Sequence, residues 1–206
     1  MGSVMAPLPI KAGYQVIGFD PAPTLGENSG VCLASGLEDL VNCDAVIFML
    51  PNGTTVAKVA TNLATAGFKG VAIDMSSSHP KGTIALAEQL YRKSIRLVDA
   101  PVSGGQKKAT VGKLMIMAGG AKADLVKIKA LLRCFGEVAH VGPLGAGHAM
   151  KALNNYVSAA GLLASMQALA TAQSFGIPPE TFARVINGST GRNNTTEVKL
   201  EPFIIS

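Results

Sequence analysis

Residues 95–105 read IRLVDAPVSGG, and this stretch carries the strongest structural signal in the chain. The run Ile95–Val98 favours a buried strand, which Pro101 ends. Ser103 then stands before two adjacent glycines, Gly104 and Gly105, which permit a turn whose bare N–H groups and neighbouring hydroxyl face an anion. The stretch therefore predicts either a carboxylate cradle after a strand or a tight turn that binds nothing.

Similar short apolar runs recur through the first two-thirds of the chain and alternate with helical stretches. Buried parallel strands have this pattern, and the alternation predicts a doubly wound α/β sheet of the Rossmann type. The predicted strands are Tyr14–Asp20, Cys43–Leu50, Gly70–Ser76, Ile95–Pro101, Leu114–Gly120 and Gly136–Gly142. The predicted helices are Leu37–Asn42, Thr54–Leu63, Thr83–Lys93 and Ala123–Leu132.

The residue composition changes after Gly147. From His148 to Phe175 there is no proline, and nearly every residue favours a helix of about seven turns. A second helix is predicted over Pro178–Asn187. We expect a Rossmann-like domain over residues 1–144 and the start of an all-α domain over residues 145–206, which opens with the long interdomain helix.

Composition excludes several classes of function. Lys and Arg exceed Asp and Glu by 18 to 13, but the excess is scattered, which favours a small anionic ligand over nucleic acid. Cys32, Cys43 and Cys134 lie far apart and follow no metal or disulfide spacing, so we expect no metal and a reducing compartment. No apolar run reaches the ~18 residues of a membrane span, and no signal peptide is evident. We expect a cytoplasmic protein.

Three segments are candidates for contact with a dinucleotide. Asp20 ends a predicted second strand, where an acid can accept the ribose hydroxyls and repel a 2′-phosphate, which favours NAD over NADP. Leu50–Pro51 and Ser76–Ser77 each follow a predicted strand at the carboxyl edge, where open α/β sheets bind ligands. The alternative interpretations are a turn cap at Asp20 and ordinary loops with helix caps at the other two.

Lys151 and Asn155 are four residues apart on the long predicted helix, with Asn154 beside them. They therefore share one helix face, and apolar neighbours of Lys151 are expected to lower its pKa toward the range of a proton carrier. The alternative is a lysine that extends its stem along an interdomain surface.

The pair of motifs DAPVSGG (residues 99–105) and GAGHAMKALNN (residues 145–155) resembles the β-hydroxyacid dehydrogenase family, which includes 3-hydroxyisobutyrate dehydrogenase. The resemblance covers nearly the whole chain. It implies that Ser103, Gly104 and Gly105 hold the substrate carboxylate, that Lys151 is the catalytic lysine, and that Asn155, with Asn154, orients the substrate.

The resemblance further implies hydride transfer from the β-hydroxyl carbon of a short 3-hydroxy acid, such as 3-hydroxyisobutyrate, to NAD, with no metal. Met1 and Gly2 align with the end of a glycine-rich cofactor turn, and Pro7 and Pro9 fall inside the family's first helix, where prolines remove hydrogen bonds.

The first strand of the fold and the later helices of the α-domain are expected to be missing, so the chain is predicted to be truncated at both ends. We also expect a homo-oligomer. The competing hypothesis is a catalytically impaired member that serves oligomerisation or ligand binding.

Overall fold

Strands and helices alternate along residues 1–22 and 29–205, which the computed structural model describes. The strands are β1 (Ile17–Gly18), β2 (Cys32–Leu33), β3 (Ala45–Phe48), β4 (Val71–Asp74), β5 (Arg96–Asp99), β6 (Val102–Ser103), β7 (Leu114–Gly119) and β8 (Gly136–Gly142). The helices are α1 (Gly2–Met5), α2 (Pro7–Ile10), α3 (Gly53–Ala66), α4 (Pro80–Tyr91), α5 (Gly105–Thr110), α6 (Lys122–Arg133), α7 (Ala146–Ser174), α8 (Pro179–Asn187) and α9 (Asn194–Val198).

Most predicted elements are present within a few residues of their expected bounds. Helix α3 begins at an Asn52 cap, whose side chain accepts the N–H of Thr55, and α4 begins with Pro80 in its first turn. Two predictions were wrong in extent. The helix predicted over Leu37–Asn42 is a short 3₁₀ helix, Leu37–Leu40, and the strand predicted over Tyr14–Asp20 is only the two residues of β1.

The main sheet is mixed rather than wholly parallel. Strands β3, β4 and β5 are parallel neighbours, whereas β7 runs antiparallel to β5 and β6 and parallel to β8. The expectation of a parallel sheet therefore holds for β3–β5 and for β7 with β8. The direction reverses because the connection between β6 and β7 contains only the short helix α5. It is too short for the crossover that a parallel neighbour requires.

Both faces of this sheet are covered, as expected for a doubly wound fold. Alternate strand residues enter two separate apolar clusters: Ile73 and Val98 pack with α6, while Ala72 and Leu97 pack with α3 and α4. The site residues described below lie at the carboxyl ends of strands held between these two layers of helices.

Strands β1 and β2 pair with each other in parallel and form a separate two-stranded sheet in the described residues. The N-terminal helical segment is also divided. Helix α1 ends at Met5 and α2 starts at Pro7, with Ala6 between them. Pro7 thus coincides with the interruption, as its missing N–H group favours, whereas Pro9 lies within the first turn of α2.

The chain falls into two compact units, Met1–Lys151 and Ala152–Ser206. The second has an apolar cluster of its own, which α7, α8 and the C-terminal residues form around Leu169, Phe182 and Leu200. The predicted long helix is confirmed, since α7 runs without interruption from Ala146 to Ser174. The predicted domain boundary after residue 144 stays a prediction.

Within the described part of the chain, no helix combines the length and apolarity needed to cross a membrane.

Candidate active site

The turn at Ser103–Gly105 has the backbone that the sequence predicted. Ser103 ends β6 and pairs with Met115, and the next two residues have positive φ angles, +136° at Gly104 and +70° at Gly105. Both glycines are exposed, and a Cβ on Gly104 would lie 2.9 Å from the Lys108 stem. Only glycine suits these positions without strain. The predicted turn is confirmed, and its binding of a carboxylate stays a prediction.

Asp99, the first residue of the same motif, has a different role from the turn that follows it. It is fully buried, and its two carboxylate oxygens accept hydrogen bonds of 2.8 Å from the N–H groups of Gly145 and His148. These are amide groups at the start of α7, which have no acceptor within their own helix. A carboxylate is well suited to this helix end, so Asp99 fixes the start of α7 against the end of β5.

The first turn of α7 also approaches the sheet closely. A Cβ on Gly147 would lie 2.8 Å from Asp99 Oδ2 and 2.9 Å from the carbonyl oxygen of the same residue. Glycine at position 147 is therefore needed for the close approach in which Asp99 accepts the N–H groups of this helix end.

His148 is buried at the centre of a polar network in the first unit. Its Nε2 lies 3.2 Å from the carbonyl oxygen of Ser76, and its Nδ1 lies 2.8 Å from Oγ1 of Thr83. Because a carbonyl oxygen only accepts, Nε2 carries a proton toward Ser76. The Oδ2 atoms of Asp74 and Asp99 lie 3.6 Å from Nε2 and Nδ1 respectively.

Sequence reasoning missed this network. Asp74 ends β4 and accepts hydrogen bonds from the N–H of Ser76 at 2.9 Å and from the hydroxyl of Ser78 at 2.7 Å. The available signals were an acid at the end of each of two neighbouring strands and a histidine that opens an apolar helix. Each is common alone, and only the fold brings His148 onto Thr83 of α4.

Two of the cofactor candidates, Leu50 and Ser76, are hydrogen-bonded to each other at the carboxyl edge of β3 and β4. The buried hydroxyl of Ser76 accepts the N–H of Leu50 at 2.9 Å and donates to the carbonyl oxygen of Phe48 at 3.3 Å. Pro51 and Ser77 are exposed beside them. The two loops thus lie together at the carboxyl edge, as expected. The Ser76 hydroxyl, however, forms its hydrogen bonds with Leu50 and Phe48 of the protein itself. Cofactor contact at these loops stays a prediction.

Asp20 lies two residues beyond β1 and is exposed, with Oδ1 accepting the N–H of Ala22 at 2.9 Å. This is the turn cap weighed above, and it leaves the carboxylate open to solvent. Met1 is exposed and Gly2 begins α1, where a Cβ would lie 3.9 Å from Met49. Gly2 is therefore next to the end of β3.

Lys151 is half-buried on α7, and burial lowers the pKa of its amine from the ordinary 10.5. The expected direction is confirmed, and its cause is loss of solvent around the charged form. Asn154 and Asn155 follow on the same helix, with Asn154 half-buried and donating to Asn155 at 3.4 Å. Their joint action with Ser103–Gly105 stays a prediction.

Among residues 1–22 and 29–205, no group of three or more His, Cys, Asp or Glu side chains is arranged to hold a metal ion. The thiols of Cys32, Cys43 and Cys134 are free.

Two family models match the chain. The one described as the NAD binding domain of 6-phosphogluconate dehydrogenase matches residues 1–142, and the one described as NAD-binding of NADP-dependent 3-hydroxyisobutyrate dehydrogenase matches residues 145–206. The chain belongs to the β-hydroxyacid dehydrogenase family. The resemblance seen in its two motifs is confirmed, and NAD(P)-binding domains are present.

Named members of the family are close in sequence and in structure. The chain is 35% identical to 2-(hydroxymethyl)glutarate dehydrogenase of Eubacterium barkeri, over 100% of this chain and 71% of that protein. It is 35% identical to mitochondrial 3-hydroxyisobutyrate dehydrogenase of Drosophila melanogaster, over 96% of this chain and 63% of that one. The solved structure of Mycobacterium tuberculosis 3-hydroxyisobutyrate dehydrogenase with L-serine has a TM-score of 0.89 and 32% identity, over 97% and 70% of the two chains.

The chain spans about two thirds of the length of these relatives.

Proposed function

We propose that this chain carries out the NAD-linked oxidation of a short 3-hydroxy acid, with Lys151 as the proton acceptor. One observation carries the proposal. Asp99 stands four residues before Ser103 in the chain, and it hydrogen-bonds to His148, three residues before Lys151. The lysine helix is therefore held by the side chain of a residue that stands four positions before the glycine turn, within the first unit.

The chain's own residues have separate roles in this proposal. The Ser103 hydroxyl and the N–H groups of Gly104 and Gly105 hold the substrate carboxylate. The neutral amine of Lys151 removes the proton of the β-hydroxyl group, and its lowered pKa increases the neutral fraction near physiological pH. Asn155, with Asn154, orients substrate and lysine. A bound nicotinamide supplies the acceptor for the hydride.

The residues at the carboxyl edge fit a dinucleotide. The exposed carboxylate of Asp20 suits ribose hydroxyls and opposes a 2′-phosphate, which favours NAD over NADP. The loops at Leu50–Pro51 and Ser76–Ser77 are joined by a hydrogen bond, and Gly2, which follows Met1, lies beside the end of β3. These residues would hold the cofactor. The free thiols agree with a reducing compartment, for which we propose the cytoplasm.

Relatives support the substrate class. Two are named for 3-hydroxyisobutyrate and 2-(hydroxymethyl)glutarate, and the M. tuberculosis structure contains L-serine. All three compounds combine a carboxylate with a hydroxyl group on the β carbon. In our proposal the glycine turn binds the shared carboxylate and the Lys151 amine acts on the shared hydroxyl group.

The second candidate is a member that binds ligand or self-associates without turnover. The division of the N-terminal helical segment at Ala6 favours it. The first part of that segment, α1, starts at Gly2, one of the residues proposed to hold the cofactor, so the division lies beside the proposed cofactor contact. The two candidates differ in one outcome.

Nicotinamide absorbance is followed while NAD and a panel of 3-hydroxy acids are added to the protein, and thermal shift with NAD is measured in parallel. Absorbance growth with at least one acid supports the dehydrogenase. Stabilisation by NAD without absorbance growth across the panel supports the ligand-binding alternative and contradicts our proposal.

A further inference from the structure

The side chain of His148 is hydrogen-bonded to two elements of the first unit. Lys151, one helical turn later, has no hydrogen bond to either element in the described structure. The Nε2 of His148 donates to the carbonyl oxygen of Ser76 after β4, and its Nδ1 pairs with the hydroxyl of Thr83 on α4. The backbone N–H of His148 is at the same time bound to Asp99 after β5. Three elements therefore meet at one residue near the start of α7.

Ser76 extends this connection to the cofactor side of the site. While its carbonyl oxygen accepts from His148, its hydroxyl accepts the N–H of Leu50 in the neighbouring loop. A continuous path of hydrogen bonds thus runs from the first turn of α7 to the two loops proposed to contact the cofactor. All of its members belong to the first compact unit.

We propose that His148 is a positioning residue, which fixes Lys151 relative to the Leu50 and Ser76 loops by locking the rotation and the axial position of the first turn of α7. The proposal rests on the proposed function for the role of Lys151, but the lock itself is a property of the chain.

The physical argument starts from what each contact restrains. The hydrogen bonds that Asp99 accepts hold the end of the helix, but they act through backbone N–H groups alone. The imidazole of His148 is fully buried and bound at both nitrogens, so the helix cannot turn about its axis without breaking one of the two bonds. Residues three apart lie on neighbouring positions of one face, so such a turn would carry Lys151 with it.

The half-buried setting of the Lys151 amine gives this lock a direct readout. Burial lowers the pKa of Lys151, and the lowering depends on where α7 holds the side chain. A helix that is free to turn exposes the amine to more water. The pKa then rises toward the ordinary value, whether or not the protein turns over substrate.

Three variants weaken or break the lock in different ways. Thr83→Val removes one hydroxyl from the partner of Nδ1 and leaves His148 in place. His148→Gln removes the ring but keeps an amide that can donate to Ser76, so it serves as the conservative variant, and His148→Leu removes both bonds. The matched control is Leu63→Ala, which opens the separate cluster packed by α3 and α4; the Leu63 side chain makes none of the network's hydrogen bonds.

The rate at which a neutral acylating reagent modifies Lys151 is measured by peptide mass spectrometry across pH, on the 206-residue protein. We expect the midpoint of this rate against pH, which reports the pKa of Lys151, to rise by about half a pH unit or more in His148→Leu and Thr83→Val. We expect a smaller rise in His148→Gln. We expect Leu63→Ala to lower Tm without moving the midpoint. If Thr83→Val and His148→Leu fold but keep the wild-type midpoint, or if Leu63→Ala moves the midpoint equally, the lock does not exist.

Kinetics separate this result from the proposed function. Where the wild-type protein oxidises a 3-hydroxy acid, we expect Thr83→Val to lower kcat about tenfold or more with an unchanged KM for NAD. An unchanged kcat together with a shifted midpoint overturns the positioning role. Absence of wild-type turnover, with the midpoint shifts present, contradicts the proposed function and leaves the lock established.

Discussion

The Lys151 amine can act as a proton carrier or as an anchoring cation, and two substitutions distinguish these roles. Lys151→Arg keeps the charge but cannot release a proton near neutral pH, whereas Lys151→Ala removes both. For a proton carrier we expect both variants to lose on the order of a hundredfold in kcat, while the arginine variant still binds NAD and the acid. Steady-state kinetics with NAD titrations measure this. An arginine variant that keeps most of the rate contradicts the mechanism.

Burial of the same amine also predicts a pH dependence of stability. The pKa of Lys151 is lower in the folded state than the ordinary 10.5, so the folded state binds fewer protons between the two values. The stability lost by burying the charged amine is therefore recovered as pH rises from the folded pKa to 10.5. We expect Lys151→Met to be more stable than wild type at pH 7, with the difference shrinking toward pH 10.5. Urea titrations at several pH values test this, and a difference that grows with pH contradicts it.

Asp20 has two separable properties, a charge and a turn-capping oxygen. Asp20→Asn keeps an acceptor for the N–H of Ala22 and removes the charge that opposes a 2′-phosphate. We expect wild type to bind NAD at least tenfold tighter than NADP, about 1.4 kcal/mol, and Asp20→Asn to lose most of that preference. Calorimetric titration with both cofactors measures it. Equal affinities in the wild-type protein would remove Asp20 from the site.

Helix α7 depends on a carboxylate that belongs to another element. Asp99→Asn replaces one of two buried acceptors by an NH₂ group that faces an N–H of Gly145 or His148. We expect the free energy of unfolding to fall by about 1–3 kcal/mol, because a buried donor is left without an acceptor. The control is the same substitution at the exposed Asp44, which we expect to have little effect. Equal stabilities of the two variants in urea would show that Asp99 does not hold α7.

Sequence patterns were sufficient for most of the longer elements and insufficient for their directions. The apolar runs at β4, β5 and β7 look alike, and nothing within β7 indicates that it runs antiparallel to β5. Its direction follows from the short connection through β6 and α5. That connection can be recognised from the sequence only if the two residues of β6 are identified as a strand. Strand β1 is shorter than its apolar run predicts, because only Ile17 and Gly18 pair with β2.

The site was predictable where one local motif supplies the geometry and unpredictable where distant residues meet. The positive φ angles at Gly104 and Gly105 follow from two adjacent glycines after a strand. The bond between His148 and Thr83 joins residues 65 positions apart, and no local signal pairs them. Asp99 was placed in the substrate motif by its neighbours, although its side chain serves the helix.

The second unit leaves a stripe of apolar side chains in solvent, which argues for a protein partner. On α7, Leu153 is 59%, Tyr156 72%, Val157 68% and Leu163 60% exposed. Their spacing of three, four and ten residues from Leu153 places them within one broad helix face, and such a continuous apolar face is unusual on the surface of a monomer. The homo-oligomer predicted from the sequence would cover it, and we expect a second copy of this chain on this face.

The association of the whole chain tests this inference. We expect sedimentation velocity to show a dimer or larger species whose fraction rises with concentration, and Val157→Glu to shift it toward monomer, because a charge in the stripe would have to be desolvated. Val126→Glu is the matched control, since Val126 is 74% exposed on α6 of the first unit and lies outside the stripe. We expect it to associate like wild type. A monomer at every concentration, with a single cooperative melt, would mean that the α7 stripe is tolerated in water and that the chain acts alone.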